Sequence, residues 1–189
     1  MKNLLFVLLA TLFCATSTFA QKDETLFNRS GVRLTGAWGG SSLSISKLEN
    51  ENAIYRGGFG GLEFNKSIFL GWGGMELQSD ARLEGGDITN MDYNGFIAGY
   101  APAAHKAFHP QFMLMVGGGN VTVSGETPDK ILVIQPSVGV EINVFRWFRI
   151  GLNGGYRIVN DTEFASITDS DLSTPYGEVK FKFGWSWGK

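Results

Sequence analysis

Two histidines in the sequence have a spacing that could hold a metal ion. His105 and His109 are four residues apart, and imidazoles at this spacing share one side of a helical turn, as they do in many zinc sites. The stretch that contains them, 101–110, has no carboxylate or thiolate to serve as a third ligand. We therefore expect a plain turn with two solvated histidines and no metal.

Serine, histidine and carboxylate side chains could also form a hydrolytic site. A nucleophilic serine needs a base within hydrogen-bond reach, and the polar segments that hold most of the serines and acids contain no histidine. We expect no catalytic residue, and an enzyme that modifies membrane lipid is kept as an alternative.

Other short motifs could bind phosphate or calcium. The glycine clusters 57–61, 71–74 and 117–119 are not followed by a helical pattern or by Gly-Lys-Ser/Thr, as a phosphate-binding loop requires. Asp169 and Asp171 could contribute calcium ligands, but their spacing does not match an EF-hand loop. The sequence predicts no cofactor and no metal, and it places the glycines at bends of strands.

Charged residues alternate with apolar residues along the last third of the chain. In 178–187, Val179, Phe181, Phe183, Trp185 and Trp187 share one face of an extended strand, and Lys180 and Lys182 share the other. The same period places Arg149 and Arg157 opposite Ile150 and Leu152. We expect the charged face to line an interior in which opposite charges pair. The main candidates for this interior ion-paired set are Arg33, Glu141, Arg149, Arg157, Glu178, Lys180 and Lys182, and Glu63, Glu76 and Asp92 are further ones.

The first twenty residues are typical of a secretory signal peptide. Lys2 precedes an apolar run from Leu4 to Leu12, and Thr18-Phe19-Ala20 has small residues where a signal peptidase cleaves. We expect cleavage after Ala20, with lipidation at Cys14 as the alternative. The mature chain would then contain no cysteine. Residues 21–30 form a short lead-in and 31–189 form one domain. Because the net charge is −2 and basic runs are absent, nucleic acid is not expected as a partner.

Eight segments of the mature chain have the character of strands, and the 26 glycines leave little room for helix. The segments are 31–40, 53–64, 68–78, 90–101, 110–120, 131–143, 147–158 and 175–187. Long polar stretches at 41–52, 79–89, 121–130 and 159–174 alternate with shorter connections at 65–67, 102–109 and 143–146. Segments of about ten residues joined by alternating loops and turns are typical of a transmembrane β-barrel. The predicted fold class is all-β, an eight-stranded antiparallel up-and-down transmembrane β-barrel.

Periodicity alone does not determine which face of each strand points outward. A membrane barrel places the apolar face toward lipid, whereas a soluble lipocalin-like barrel places it inward around an apolar ligand, and this second fold is the main alternative. The aromatic residues Trp38, Trp72, Tyr100, Trp147, Tyr156, Trp185 and Trp187 lie mostly near strand ends, as interfacial girdles do. Pro136 removes a backbone donor, so we expect an irregularity at 135–136 or a strand that begins only at Ser137.

One stretch carries a resemblance to a known family. Residues 135–149 (QPSVGVEINVFRWFR), followed by Gly154-Gly155-Tyr156-Arg157, resemble the small OmpA/OmpX-type outer-membrane barrels that contain a Pro-bearing strand and an Arg-Trp turn. The resemblance implies an eight-stranded barrel in the bacterial outer membrane, inserted by the assembly machinery that reads a terminal aromatic residue. Here the last aromatic, Trp187, is third from the end. We expect a structural or surface-interaction protein whose outer loops meet an unidentified partner, with the lumen plugged by ion pairs or, alternatively, forming a narrow ion path.

Overall fold

The computed structural model describes residues 31–48, 51–79, 81–83, 86–162 and 167–187. The predicted signal peptide, 1–20, and the predicted lead-in, 21–30, lie outside the described residues. The described chain is nearly all antiparallel sheet. Its elements are β1 Leu34–Leu48, β2 Glu51–Phe64, β3 Ile68–Leu77, β4 Ala81–Leu83, β5 Gly86–Tyr100, β6 Phe108–Val123, β7 Asp129–Phe145, β8 Phe148–Asn160, the four-residue helix α1 Asp169–Leu172 and β9 Thr174–Ser186.

Eight of the nine strands close into a barrel, as predicted. Each of these eight strands pairs with the next of them along the chain, so that β3 pairs with β5, and β9 closes the barrel on β1. The three-residue strand β4 only extends the sheet beside β5. Cross-strand partners followed from Gly36 around the wall return to β1 at Ser46, ten residues further along. This stagger corresponds to a strand tilt of about 40°.

The two ends of the barrel differ in their connections. At one end, called here the turn end, the connections are 65–67, 101–107 and 146–147. At the other, the loop end, they are 49–50, 78–85, 124–128 and 161–173. Most of the predicted loop 41–52 is strand, and the predicted loops 79–89 and 121–130 are partly strand. The sequence analysis interpreted these polar stretches as loops. In the structure the strands continue toward the loop end, where their outward-facing residues are polar.

Pro136 lies inside β7, so the strand does not begin at Ser137. Its carbonyl oxygen points toward Gly155 of β8, and in an antiparallel ladder the nitrogen of the same residue points the same way. Because proline has no N–H, the β7–β8 pairing is interrupted between Ile134 and Ser137, and it resumes without a change of register. The predicted irregularity is therefore a local interruption of the β7–β8 pairing. The Pro136 side chain is exposed on the outer wall.

The outer wall is apolar and the interior is charged over the half of the barrel nearer the turn end. Phe183, Trp185 and Leu152 are 49%, 55% and 49% exposed, whereas Lys180 and Lys182 are 7% and 4% exposed. This orientation is the one predicted for a membrane barrel. The lipocalin-like alternative is wrong, because it requires the apolar face of these strands to point inward.

Glycine on the inward face allows the strands to approach each other. A Cβ on Gly119 of β6 would lie 2.0 Å from the carbonyl oxygen of Asp92 on β5, whereas one on the outward-facing Gly60 would meet nothing within 4 Å. Inward-facing glycines of this kind are required by the narrow interior of an eight-stranded barrel.

Candidate functional site

The interior at the turn end is organised around one buried carboxylate, Glu141 of β7. Lys182 Nζ lies 2.5 Å from Glu141 Oε2, and Arg149 Nη1 lies 3.1 Å from Oε1. His109 Nε2 is 3.3 Å from Oε1, and the amide of Gln111 donates to Oε2 at 2.9 Å. Glu141 and the His109 side chain are fully buried. Strands β6, β7, β8 and β9 thus converge on a single anionic centre.

A second carboxylate shares Arg149 with this centre. Glu63 of β2 accepts from Arg149 Nη1 at 3.1 Å and from the hydroxyl of Ser186 at 2.6 Å. The Arg149 guanidinium also stacks on Trp38, with Cζ 3.8 Å from the ring centroid. The network therefore spans the lumen from β2 to β7, and opposite charges compensate the cost of burial.

The middle of the lumen contains a smaller ion pair and a small cavity. Lys180 Nζ lies 3.1 Å from Glu178 Oε2 and 3.2 Å from the sulfur of Met113. The cavity beside this pair has a volume of about 30 Å³, and its lining includes Met75 and Met115. A volume of this size holds about one water molecule, so it offers no continuous path along the axis.

Closer to the loop end, the guanidinium of Arg157 extends across the lumen. Arg157 is fully buried and donates through Nε to the hydroxyl of Tyr93 at 3.1 Å. Its Cζ lies 3.9 Å from the ring centroid of Tyr55 and 6.0 Å from that of Tyr176. Within the described residues no carboxylate lies within ion-pair distance of Arg157. The sequence predicted an ion pair here, and the structure instead stacks the cation on tyrosine rings.

Beyond Arg157, toward the loop end, the interior becomes hydrophobic. The inward side chains here are buried and apolar, and Leu172 of α1 and Ile167 pack among them. The members are Leu48, Ala53, Leu77, Leu83, Ile88, Met91, Val121, Val123, Ile131, Val133, Val159, Ile167 and Leu172. This apolar cap was not predicted. Its signal was present in the alternation of Val121 with Val123 and of Ile131 with Val133, inside segments that were interpreted as loop or strand end.

The outer wall also changes polarity toward the loop end. A row of directly paired outward positions runs Arg56, Glu76, Asp92, Asn120 and Lys130 across strands β2, β3, β5, β6 and β7. Glu76 and Asp92 were predicted inside the lumen, and this assignment is wrong. They lie on the outer wall because their strands place Met75 and Tyr93 inward.

On β3 this polar row marks one edge of an apolar band. From Ile68 at the turn end to Glu76 is eight residues along β3, about 26 Å at the rise of an extended strand, or about 20 Å along the axis after tilting. The apolar band of membrane barrels has a similar height of about 25 Å. The wall between the turn end and the polar row therefore has the polarity and the height of a membrane-spanning surface.

Aromatic side chains line the other edge of the band, at the turn end. Phe145 stacks on Trp147 with 5.5 Å between ring centroids, Trp147 stacks on Phe183 at 6.2 Å, and Phe148 stacks on Phe183 at 4.9 Å. Trp185 and Trp187 are also exposed here. These residues form an interfacial girdle. Trp38 does not belong to it, because it faces the lumen and is 3% exposed.

Two sequence-based assignments need correction at the turn end. Arg33 is exposed and precedes β1, where its backbone pairs with Asn65 of the turn 65–67, so it does not line the lumen. His109 is not a solvated turn residue but part of β6 and of the Glu141 network. The turn was predicted to extend to 109, whereas β6 begins at Phe108 and its period turns His109 inward. His105 is exposed in the turn, as predicted.

The loop 161–173 contains the acidic residues considered for calcium. Asp169 accepts hydrogen bonds from the backbone N–H of Thr162 at 3.0 Å and from its hydroxyl, and these bonds lower the pKa of the Asp169 carboxyl. Asp171 accepts from Thr168 at the start of α1. These acids stabilise the loop's own backbone.

Among the described residues no group of three or more histidine, cysteine or acidic side chains could hold a metal ion. Nor does the described part of the chain contain a helix long and apolar enough to span a bilayer.

A charged, filled interior inside an apolar outer band defines a class of protein, the integral membrane β-barrel. The fold is shared with solved outer-membrane barrels, in agreement with the resemblance to the small OmpA/OmpX-type family. Neisserial surface protein A aligns over 83% of this chain and 99% of its own, with 10% identity and a TM-score of 0.58. The outer membrane protein OprG from Pseudomonas aeruginosa aligns over 81% and 97%, with 11% identity and a TM-score of 0.50.

A third similar structure is Ail, the attachment invasion locus protein of Yersinia pestis, with 13% identity over 82% of this chain and all of that one, and a TM-score of 0.48. No protein-family model matches the sequence, and none of the curated proteins matches it either.

Proposed function

We propose that this protein is a non-enzymatic barrel of the bacterial outer membrane that acts through the exposed surface of its loop end, while its lumen serves as a closed core. The observation that carries the proposal is the filling of the lumen at three successive levels. The Glu141 network occupies the turn end, Arg157 and its tyrosines cross the lumen above the middle, and the apolar cap occupies the loop end.

This filling argues against the alternative of a narrow ion path. An ion that entered at the turn end would have to displace buried ion pairs and then pass among side chains such as Leu48, Met91 and Val121, each fully buried. Transfer of a charge into such an apolar region is costly. Planar-bilayer recordings of the refolded barrel should therefore show no discrete conductance steps, with a large open porin as the positive control. Steps whose size changes in Glu141→Gln would show that the lumen conducts.

The positions of the histidines argue against an enzyme at the outer rim. His109 is buried in the Glu141 network and His105 lies at the turn end, so neither can serve a serine in the loops. The loop end instead presents a surface on which acidic side chains such as Glu51, Asp87 and Asp161 are exposed. Its partner is unidentified. Other partners in this proposal are the lipid around the apolar band and the machinery that inserts outer-membrane barrels.

The location and the orientation are tested by one labelling experiment. Lys47 and Lys130 are exposed at the loop end, and Lys66 and Lys106 are exposed at the turn end. A membrane-impermeant amine reagent applied to intact cells should label the first two lysines, and the second two only after the outer membrane is permeabilised. Peptide mapping by mass spectrometry assigns each site. Labelling of the turn-end pair on intact cells, or recovery of the protein in the soluble periplasmic fraction, would contradict the proposal.

A further inference from the structure

The charged side chains are distributed unequally between the two ends of the barrel. At the turn end the exposed charged side chains of the described residues are all basic: Arg33, Lys66, Lys106 and Arg146. The two acids nearest to them, Glu63 and Glu141, are buried and already paired with Arg149 and Lys182. None of the four exposed cations has an ion-pair partner among the described residues. Among the described residues, the exposed charge of the turn end is therefore positive.

Two of these cations line an open basin at the mouth of the lumen. The basin has a volume of about 760 Å³, and its basic side chains are Lys66, His105, Arg146 and Arg149. Arg149 lies at its floor, and its Nη2 donates to Ser186 at 3.1 Å. Lys66 is held above it because its backbone N–H donates to Thr35 at 2.7 Å. The basin can therefore receive an anionic group.

The rest of the basin is apolar and belongs to the aromatic girdle. Val144, Phe145 and Trp185 line it, and these residues are 40%, 58% and 55% exposed. Trp147, against which Phe145 stacks, marks the level of the bilayer interface. A ligand in this basin would place an anionic group on the basic side and a hydrocarbon chain on the aromatic side. Phospholipids have this combination of groups.

We propose that the basin is a binding site for the phosphate headgroup of an anionic phospholipid in the inner leaflet of the membrane, with Lys66 and Arg146 as its principal cations. Binding requires no movement of the Glu141 network, because both cations are exposed and neither has an ion-pair partner in the part of the chain that the structure describes. The proposal relies on the membrane location argued above. It adds a specific lipid site at the end opposite the loops.

The test uses the refolded full chain in bilayers of phosphatidylcholine that contain a small fraction of brominated lipid. Bromine quenches tryptophan fluorescence on contact, and Trp185 and Trp147 report on the basin and its girdle when Trp72, which is 59% exposed on the lipid-facing wall, is replaced by phenylalanine in every variant. Each lysine or arginine near an anionic surface strengthens attraction about fivefold, so two should give about a twenty-five-fold preference. We expect half-quenching at about a twenty-five-fold lower mole fraction of brominated phosphatidylglycerol than of brominated phosphatidylcholine.

Matched variants separate the basin from general attraction between charges. Lys66→Gln combined with Arg146→Gln should abolish the preference, and each single substitution should reduce it in part. Lys47→Gln combined with Lys130→Gln removes the same charge at the loop end and should leave the preference unchanged. A band that migrates differently after boiling verifies that each variant is folded, so a folding failure is separated from a loss of lipid binding.

Several results would overturn the proposal. These are equal quenching by the two lipids in the unmodified chain, a preference that survives Lys66→Gln with Arg146→Gln, or an equal loss in the loop-end control. Displacement of the brominated phosphatidylglycerol by millimolar inorganic phosphate would assign the basin to a free anion instead of a lipid. If the protein is not in the membrane at all, its recovery in the soluble periplasmic fraction contradicts the proposed location independently of this lipid test.

Discussion

The guanidinium of Arg157 lies on the ring of Tyr55, with 3.9 Å between Cζ and the ring centroid, at the level where the interior changes from polar to apolar. Ion pairs fill the lumen on the turn-end side of this contact, and aliphatic side chains fill it on the other. On the outer wall, the apolar band likewise ends in polar side chains toward the loop end. The turn-end part of the barrel thus has the polarity of a membrane protein, and the loop-end part has that of a water-soluble β-barrel.

Two substitutions of Arg157 should distinguish the contribution of ring stacking to the free energy of unfolding from the contribution of the buried charge. In Arg157→Lys the charge stays buried, but the planar stack on Tyr55 and the Nε–H bond to Tyr93 are lost, so we expect destabilisation of about 2 kcal/mol. Arg157→Met removes the buried charge and keeps an apolar side chain, so its free energy of unfolding should stay within about 1 kcal/mol of the original. Urea unfolding in lipid vesicles gives both values. A Lys variant as stable as the original chain would show that stacking contributes nothing.

Glu141→Gln should be strongly destabilising. The substitution leaves Lys182 and half of the Arg149 contacts without their anion in a buried site, and breaking such a pair costs about 3–5 kcal/mol. The measurement is the temperature at which the compact gel band is lost. Glu51→Gln, at an exposed position of β2, removes the same charge and should change stability by less than about 0.5 kcal/mol. Similar effects of the two substitutions would contradict the assignment of Glu141 as the centre of the network.

Two glycine substitutions of equal size should have opposite outcomes. Gly119→Ala places a methyl group 2.0 Å from the carbonyl oxygen of Asp92, and overpacking of this kind costs about 1–3 kcal/mol. Gly60→Ala meets open space and lowers the entropy of the unfolded chain, so it should be neutral or stabilising by up to about 1 kcal/mol. Refolding yield and urea midpoints test both. A tolerated Gly119→Ala would mean that β5 and β6 can move apart.

The loop 161–173 should respond to pH through Asp169. Hydrogen bonds from Thr162 lower the pKa of this carboxyl. The stabilisation is therefore present above the ordinary pKa of aspartate and is lost as the pH falls through the lowered value. Thr162→Val should return the pKa toward its ordinary value and increase proteolysis of the loop at neutral pH. Carboxyl chemical shifts in a pH titration measure the effect, and Ser170→Ala serves as a control in the same loop.

Much of the fold was determined by the sequence. The period of two in β8 and β9 places Arg149 and Lys182 opposite Leu152 and Phe183 whatever the rest of the chain does, because successive side chains of a strand alternate. The number of strands followed from segment lengths and from the alternation of connections. The arrangement with the apolar face outward followed once these segments were interpreted as crossing a membrane.

What the sequence could not determine depends on register and closure. Which acid meets which cation, and whether Glu76 and Asp92 face inward, is decided by where each strand starts relative to its neighbours, and an error of one residue reverses every side chain. His109 joins Glu141 only because β6 begins at Phe108. Arg157 reaches Tyr55 and Tyr93 across the lumen only because the sheet closes with a stagger of ten residues. Such contacts between strands distant in sequence are fixed by the tertiary structure alone, since no local pattern encodes the distance across the barrel.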